Sequence, residues 1–318
     1  MNAVVFDGAL RLASDWPCPI PGPGEARIRT TLAGICHTDL EILRGYAAFC
    51  GVLGHEFVGV VESAGEQALV GRRVVGEINL SCGECSTCRA GYREHCTRRQ
   101  VLGIRGRDGA LADYFCLPER NLYPVPTAVP DEAAVFVEPL AAACRIAEQV
   151  HLRPNCRVVV LGDGKLGLLA AQVIALSGAD LTVVGHHLEN LALLSSRGIA
   201  TRLSDANLPG AADLVVECTG RPEGLRAALR LVRPGGTVVL KSTYHGQVEA
   251  DLSGLVVNEI TVLGSRCGPF SAALRLLEQG LVDVRSLIAA EYPLADSPAA
   301  FEHAARPGTL KVLVRPEA

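Results

Sequence analysis

The sequence predicts an α/β protein, a doubly wound parallel sheet preceded by a mostly β domain. Two observations carry this. Beyond about residue 157 short apolar strand patterns alternate with helix patterns, and such alternation builds a parallel sheet covered by helices on both faces. Before about residue 125 the chain is instead a succession of short β-type runs punctuated by Pro and Gly. In the first part these runs are Ala26 to Thr31, Phe57 to Ser63 and Arg73 to Ile78. Pro126 to Pro130 is proline-rich and leads into a helix-like stretch from Asp131 to Val150. Then follow strand Arg157 to Leu161, helix Leu166 to Leu176, strands Leu181 to Val184 and Asp213 to Val216, helix Gly224 to Leu231, and strands Thr237 to Leu240 and Ile260 to Leu263. A helix pattern at Ser271 to Gln279 precedes a tail ending in strand-like Lys311 to Val314, which is expected to return to the first domain.

A chain of 318 residues exceeds the usual size of one core, so two domains are expected. The net charge of -4 comes without any run of like charges, which argues against nucleic acid or a membrane surface and for a small-molecule partner. No apolar stretch reaches the roughly 18 to 20 residues that span a bilayer, since Gln172 and Ser177 interrupt the region from 166 to 184. The start, Met1 to Asp7, lacks a basic n-region and reads as a first strand, so a cytoplasmic location is expected. In that setting the 12 cysteines read as thiolate metal ligands and buried free thiols in preference to disulfides.

Spacing singles out Cys82, Cys85, Cys88 and Cys96, four thiols within fifteen residues on a glycine-containing loop. Four thiolates make a closed tetrahedral site that suits a structural zinc, ahead of free thiols, disulfides or an iron–sulfur cluster. A second set, Cys36-His37-Thr38-Asp39 followed by Gly54-His55-Glu56 and later by Glu138, offers a thiolate, an imidazole and carboxylates from separate segments. The third motif is the strand Arg157 to Leu161 running into Gly162-Asp163-Gly164-Lys165-Leu166-Gly167 and then a helix. In that context the glycines allow a tight turn and a close approach of backbone to a pyrophosphate at the helix N-terminus, the Rossmann arrangement for a nicotinamide dinucleotide. The next strand ends Gly185-His186-His187, without the acidic residue that binds the ribose 2'-hydroxyl of NAD. Two imidazoles there favour NADP, whose 2'-phosphate they can meet; in the alternative they are turn residues and NAD binds by other contacts.

In their order along the chain, these motifs resemble the zinc-dependent medium-chain dehydrogenases, the alcohol dehydrogenase family, and are closest to its sorbitol and threonine dehydrogenase branch. The resemblance covers essentially the whole chain. It implies a GroES-like catalytic domain at 1–127 and 267–318, with the structural zinc lobe at 82–96, and a Rossmann domain at 128–266. It implies two zinc ions per chain. Cys36 and His55 look like ligands of the catalytic zinc, with Glu56 and Glu138 sharing or exchanging the remaining places. Glu138 stands where other branches have a cysteine, which leaves one thiolate and more oxygen and so a harder Lewis acid. Asp39 resembles the carboxylate that orients the imidazole, although it also reads as a turn or N-cap aspartate. Thr38 resembles the hydroxyl that takes the substrate proton, and Glu41 stands where relatives often place a relay histidine, so that the last proton acceptor is expected to be Glu41 or water.

By the same resemblance Cys218 and Thr219, at the end of the segment Asp213 to Gly220, line the cofactor cleft. Ser265, Arg266 and Lys311 are later cofactor contacts, the two cations reading equally well as surface residues. Tyr46, Phe49, Cys267 and the neighbourhood of Tyr244 are expected near substrate. The implied activity is hydride transfer between a secondary alcohol or polyol and NADP or NAD by a homodimer or homotetramer. The alternatives are a zinc-free quinone or enoyl reductase and a catalytically silent homologue. The gap from Cys36 to His55 is short for the family, which implies a trimmed loop and room for a bulky substrate.

Overall fold

The structure is a computed structural model that describes residues 1–204, 210–243 and 247–317. It comprises two units, one formed by Met1–Glu138 with Phe270–Ala318 and the other by Pro139–Pro269. In chain order the strands that matter below are β1 (Glu25–Ile35), β2 (Glu56–Ser63), β3 (Arg73–Gly76), β4 (Tyr114–Pro118) and β5 (Leu122–Pro124) in the first unit. The second unit holds β6 (Arg157–Leu161), β7 (Asp180–Gly185), β8 (Ala200–Leu203), β9 (Ala212–Glu217), β10 (Val232–Leu240) and β11 (Thr261–Gly264). The chain then returns to the first unit with β12 (Ile288–Pro293) and β13 (Lys311–Arg315).

The main sheet of the first unit has the order β5-β3-β2-β1-β13-β12, with β4 also paired to β1. Along β1 buried and half-buried residues alternate up to Leu32, the period of a strand with one face on a core. One core packs Ile28, Phe57, Val74, Leu102 and Phe115, where the rings of Phe57 and Phe115 meet edge to face at 4.6 Å. Another packs Ile35, Ile42, Leu53, Leu111, Phe301 and Val312. The C-terminal strand β13 is the expected returning tail: it runs antiparallel to β1, with Leu313 opposite Gly34, and parallel to β12.

In the second unit the order β8-β7-β6-β9-β10-β11 is parallel throughout. The strand order reverses beside β6, the position at which open α/β sheets bind ligands beyond the carboxyl ends of their strands. Edge strand β8 and the helix Leu188–Ser195 were not evident as elements, because β8 is a four-residue edge strand with alternate residues exposed.

The contact boundaries fall at 138/139 and 269/270, whereas the sequence suggests 127/128 and 266/267. Residues 128–138 are tied to the first unit because Asp131 accepts a hydrogen bond from Thr31 Oγ1 at 2.8 Å and pairs with Arg73 at 3.0 Å. The expected helix from Asp131 to Val150 is accordingly two helices, Asp131–Ala134 and Val137–Gln149. At the other junction Gly268 lies against the Ala141 carbonyl of the second unit so closely that no Cβ fits. Among the described residues no helix is long and apolar enough to cross a membrane.

Phe115 is buried in one of the cores of the first unit. Phe115→Ala is expected to lower the unfolding free energy of that unit by about 3–5 kcal/mol, measured as a shift of the urea midpoint; a shift under a third of that size means the cluster does not hold the unit together.

Candidate active site and metal centres

Helix α1 (His37–Leu43) starts directly after β1, with Cys36 as its N-cap. Asp39, three residues into the helix turn, accepts the Cys36 amide at 2.8 Å through Oδ2 and the Gly54 amide at 3.2 Å through Oδ1. Its Oδ1 also lies 3.4 Å from Nδ1 of His55, a charge contact whose angle leaves that nitrogen without a hydrogen bond. Asp39 is not the N-cap but the third helical residue, whose carboxylate takes the N-cap amide, and its other oxygen faces the imidazole. Burial opposes a charge on His55, but the Asp39 carboxylate and the Cys36 thiol beside it hold its pKa well above the ordinary histidine value. Cys36 and His55 thus meet across two segments, with Thr38 Oγ1 3.7 Å from the Cys36 sulfur. On the next turn Glu41 accepts from Arg44 at 2.7 Å and lies 3.5 Å from His37 Nε2.

Glu56 and Lys311 form an ion pair with both side chains 1% exposed. Burial alone would neutralise the lysine; Glu56 above all, with Cys36 and Glu138, keeps its ammonium above the usual lysine range. The pair exists because residue 34 is glycine: a Cβ there would lie 2.7 Å from Glu56 Oε2 and 3.2 Å from Lys311 Cδ. The ring of Phe136 lies 5.6 Å from the ammonium. This corrects the surface reading of Lys311 and leaves its charge committed to a carboxylate of its own unit. Among the described residues the four cysteines are the metal-ligating group whose atoms all lie within 4.8 Å of one another. Cys36, His55, Glu56 and Glu138 are not drawn together that tightly, and Glu56 is engaged by Lys311.

In the cysteine lobe, sulfur separations are 3.5 Å for Cys82 to Cys96 and 3.9 Å for both Cys82 to Cys88 and Cys85 to Cys96. Tetrahedral zinc with Zn–S near 2.3 Å requires about 3.8 Å, so the cluster fits that ion. Backbone amides support the thiolates: the Cys88 amide points at Cys85 Sγ and holds that thiol down at about 5. Arg98 adds a contact of 3.4 Å to Cys82 Sγ.

In the second unit, β6 runs into the glycine turn and helix α2 (Lys165–Ala175), whose N-cap is Gly164. Gly162 has φ +114 and a Cβ there would lie 2.6 Å from the Cys218 carbonyl, while Gly167 presses on the Gly162 carbonyl. Beside Gly164 the space is open, as an approaching pyrophosphate requires. Lys165 and Leu166 form the first helical residues. At the end of β9, Thr219 turns inward, its amide and hydroxyl both donating to the buried Glu217 carboxylate at 2.7 and 2.5 Å. Burial pushes the Cys218 thiol up to about 12. Ser265 Oγ and the Arg266 carbonyl both accept from Lys241 Nζ, at 3.2 and 3.1 Å. Lys241 lies in no motif, and Glu217, although inside the segment Asp213 to Gly220, is not singled out by it.

β7 ends at Gly185, and Asp163 of the glycine turn brings a carboxylate to the two residues that follow: the amides of His186 and His187 both donate to its Oδ2. The strand end carries no acid of its own, as the sequence reads, and the carboxylate beside it comes from another segment. Phe49 is also not a substrate-facing side chain, being packed in the core beside Ile42 and Leu53, with Tyr46 half-buried against the same cluster. Tyr244 lies outside the described residues.

A β unit with a thiolate–imidazole pair and a cysteine lobe, joined to a parallel sheet with a glycine turn, defines a zinc- and nicotinamide-dependent oxidoreductase. Residues 22–127 match the alcohol dehydrogenase GroES-like domain and residues 166–279 the zinc-binding dehydrogenase family. An L-threonine 3-dehydrogenase of Streptomyces avermitilis is 32% identical over 92% of each chain, and a sorbitol dehydrogenase of Halalkalibacterium halodurans is 29% identical over 94% of each. Among solved structures, a zinc-binding dehydrogenase target from Sinorhizobium meliloti 1021 bound to NADP superposes with TM-score 0.91, 30% identity and 99% of each chain covered. An alcohol dehydrogenase from Escherichia coli CFT073 complexed with NADH does so with TM-score 0.91, 27% identity and the same coverage. The chain belongs to the zinc-containing medium-chain alcohol dehydrogenase family and is an NAD(P)-linked dehydrogenase.

Breaking a buried ion pair leaves a bare charge, so Lys311→Met is expected to destabilise by about 3–5 kcal/mol. The double variant Glu56→Gln with Lys311→Met should recover at least half of that in urea unfolding; equal loss in both would show that the methionine packs badly and that charge is not the cause.

Proposed function

We propose that the chain interconverts a secondary alcohol or polyol and the corresponding ketone. The observation that carries this is the Cys36–Asp39–His55 arrangement, in which a helix cap, a buried aspartate and an imidazole from another segment are fixed together. A zinc ion would be held by Cys36, His55 and Glu138, with Glu56 retained by Lys311 as the carboxylate that exchanges into the site. Asp39 behind Nδ1 favours the tautomer that leaves Nε2 for the metal. When bound, zinc would supply Lewis acidity toward a substrate hydroxyl and the oxidised nicotinamide would supply the hydride acceptor, so that oxidation of the alcohol to a carbonyl leaves one proton to be removed. Thr38, beside Cys36, is the hydroxyl suited to receive that proton. Glu41, half-buried one turn away, and the exposed His37 beside it would pass it to solvent.

The substrate class rests on the relatives named for sorbitol and threonine, both bearing a secondary hydroxyl among polar substituents. The short segment between Cys36 and His55 folds into a tight turn with Ala47 at φ 63 and Ala48 at φ 47, which supports a site open to such substrates. A homodimer formed through the second unit is supported by its edge strand β11 and by Val256 and Val257, which are 77% and 80% exposed.

Elemental analysis is expected to find two zincs per chain. Cys36→Ser should lose one together with alcohol oxidation while keeping the fold, and Cys85→Ser should lose the other together with solubility. One zinc that survives Cys36→Ser would sink the mechanism. For the assembly, sedimentation of the full chain should give a dimer or a dimer of dimers that Val262→Lys on β11 dissociates; a monomeric wild type would end that reading.

A further inference from the structure

We propose that Asp163 makes this enzyme selective for NAD over NADP by supplying, from the glycine turn, the carboxylate that the end of β7 lacks. The inference rests on the reading of the second unit as a nicotinamide-dinucleotide site. In this sheet the end of the strand after the glycine turn is where the adenosine ribose is recognised, through an acid in NAD-binding proteins and through cations where a 2'-phosphate is taken. Asp163 is only 5% exposed. Its Oδ2 accepts from the amides of His186 at 2.9 Å and His187 at 2.6 Å, and lies 3.1 Å from His187 Nδ1. The carbonyl of the same residue accepts from Asn190 Nδ2 at 3.0 Å. Gly185 is what admits this carboxylate, because any Cβ at that position would overlap the Asp163 side chain.

The two oxygens of Asp163 are used unequally. Oδ2 gathers three nitrogen neighbours, whereas no donor from the described residues reaches Oδ1. A nearly buried carboxylate with one vacant acceptor at a strand end suits a ribose hydroxyl, which has a hydrogen to donate. A 2'-phosphate has acceptor oxygens and negative charge, and both repel a carboxylate. The histidines offer weak compensation, since each has one ring nitrogen already engaged: His187 Nδ1 faces Asp163, and His186 Nδ1 lies 2.7 Å from Ser204 Oγ. Relatives of this fold have been solved with NADP and with NADH, so the choice between them rests on local side chains such as this one.

Dissociation constants for NADH and for NADPH, measured by calorimetry on the zinc-loaded full chain, test the proposal without any variant. The wild type is expected to bind NADH at least tenfold tighter than NADPH. Asp163→Asn, nearly the same size and checked for folding by its melting curve, should narrow that ratio at least fivefold, chiefly by tightening NADPH. Equal affinities or an NADPH preference in the wild type overturn the proposal and leave the dehydrogenase reading in place, as does a folded Asp163→Asn with an unchanged ratio. Failure to bind either cofactor overturns both.

Discussion

The pairing of Lys311 with Glu56 is the constraint on which the first unit turns. The residues are 255 positions apart, and their meeting requires the last strand to cross back and lie against β1, one strand away from the start of β2. The interior can hold these two charges only if each has the other, because a lone ammonium or carboxylate loses its hydration without compensation. Gly34 in the central strand removes the one side chain that would separate them. Were a divalent ion held by Cys36, His55 and Glu138 as proposed, the Lys311 ammonium would offset the charge of Glu56, the further carboxylate beside that site.

Much of this was legible from sequence because the motifs are local. Four cysteines in fifteen residues, a glycine turn between strand and helix, and a threonine–aspartate pair after a cysteine each specify geometry within a few positions, and the structure folds the cysteines and the turn as those spacings require. The alternation of patterns similarly yielded the parallel sheet. What stayed hidden was tertiary in origin. Lys311 reads as a cation near a chain end, and only the return of β13 reveals it as a buried partner of Glu56. Asp163 reads as the variable residue of a glycine motif, and nothing local tells that its side chain crosses to the next strand. The domain junctions were displaced for a related reason, since Asp131 is bound to Thr31 and Arg73 by contacts about 100 and 58 residues away in sequence, beyond the reach of compositional punctuation.

Two buried aspartates do parallel work in the two units. Asp39 accepts the amides of Cys36 and Gly54 and so locks the helix start to the loop that carries His55. Asp163 accepts the amides of His186 and His187 and locks the glycine turn to the end of β7. In both cases a carboxylate takes backbone donors from another segment, an interaction stronger than a neutral hydrogen bond and indifferent to the side chains of its partners. Asp39 has its Oδ1 3.4 Å from His55 Nδ1, and Asp163 keeps one oxygen that no donor among the described residues reaches. Structural fixation and ligand discrimination are therefore properties of the same group, so that an evolutionary change of cofactor at Asp163 has to replace two backbone anchors as well as one charge. Introducing a cation at His186 or His187 alone would leave the anchored carboxylate in place, and the physical obstacle to a 2'-phosphate would persist.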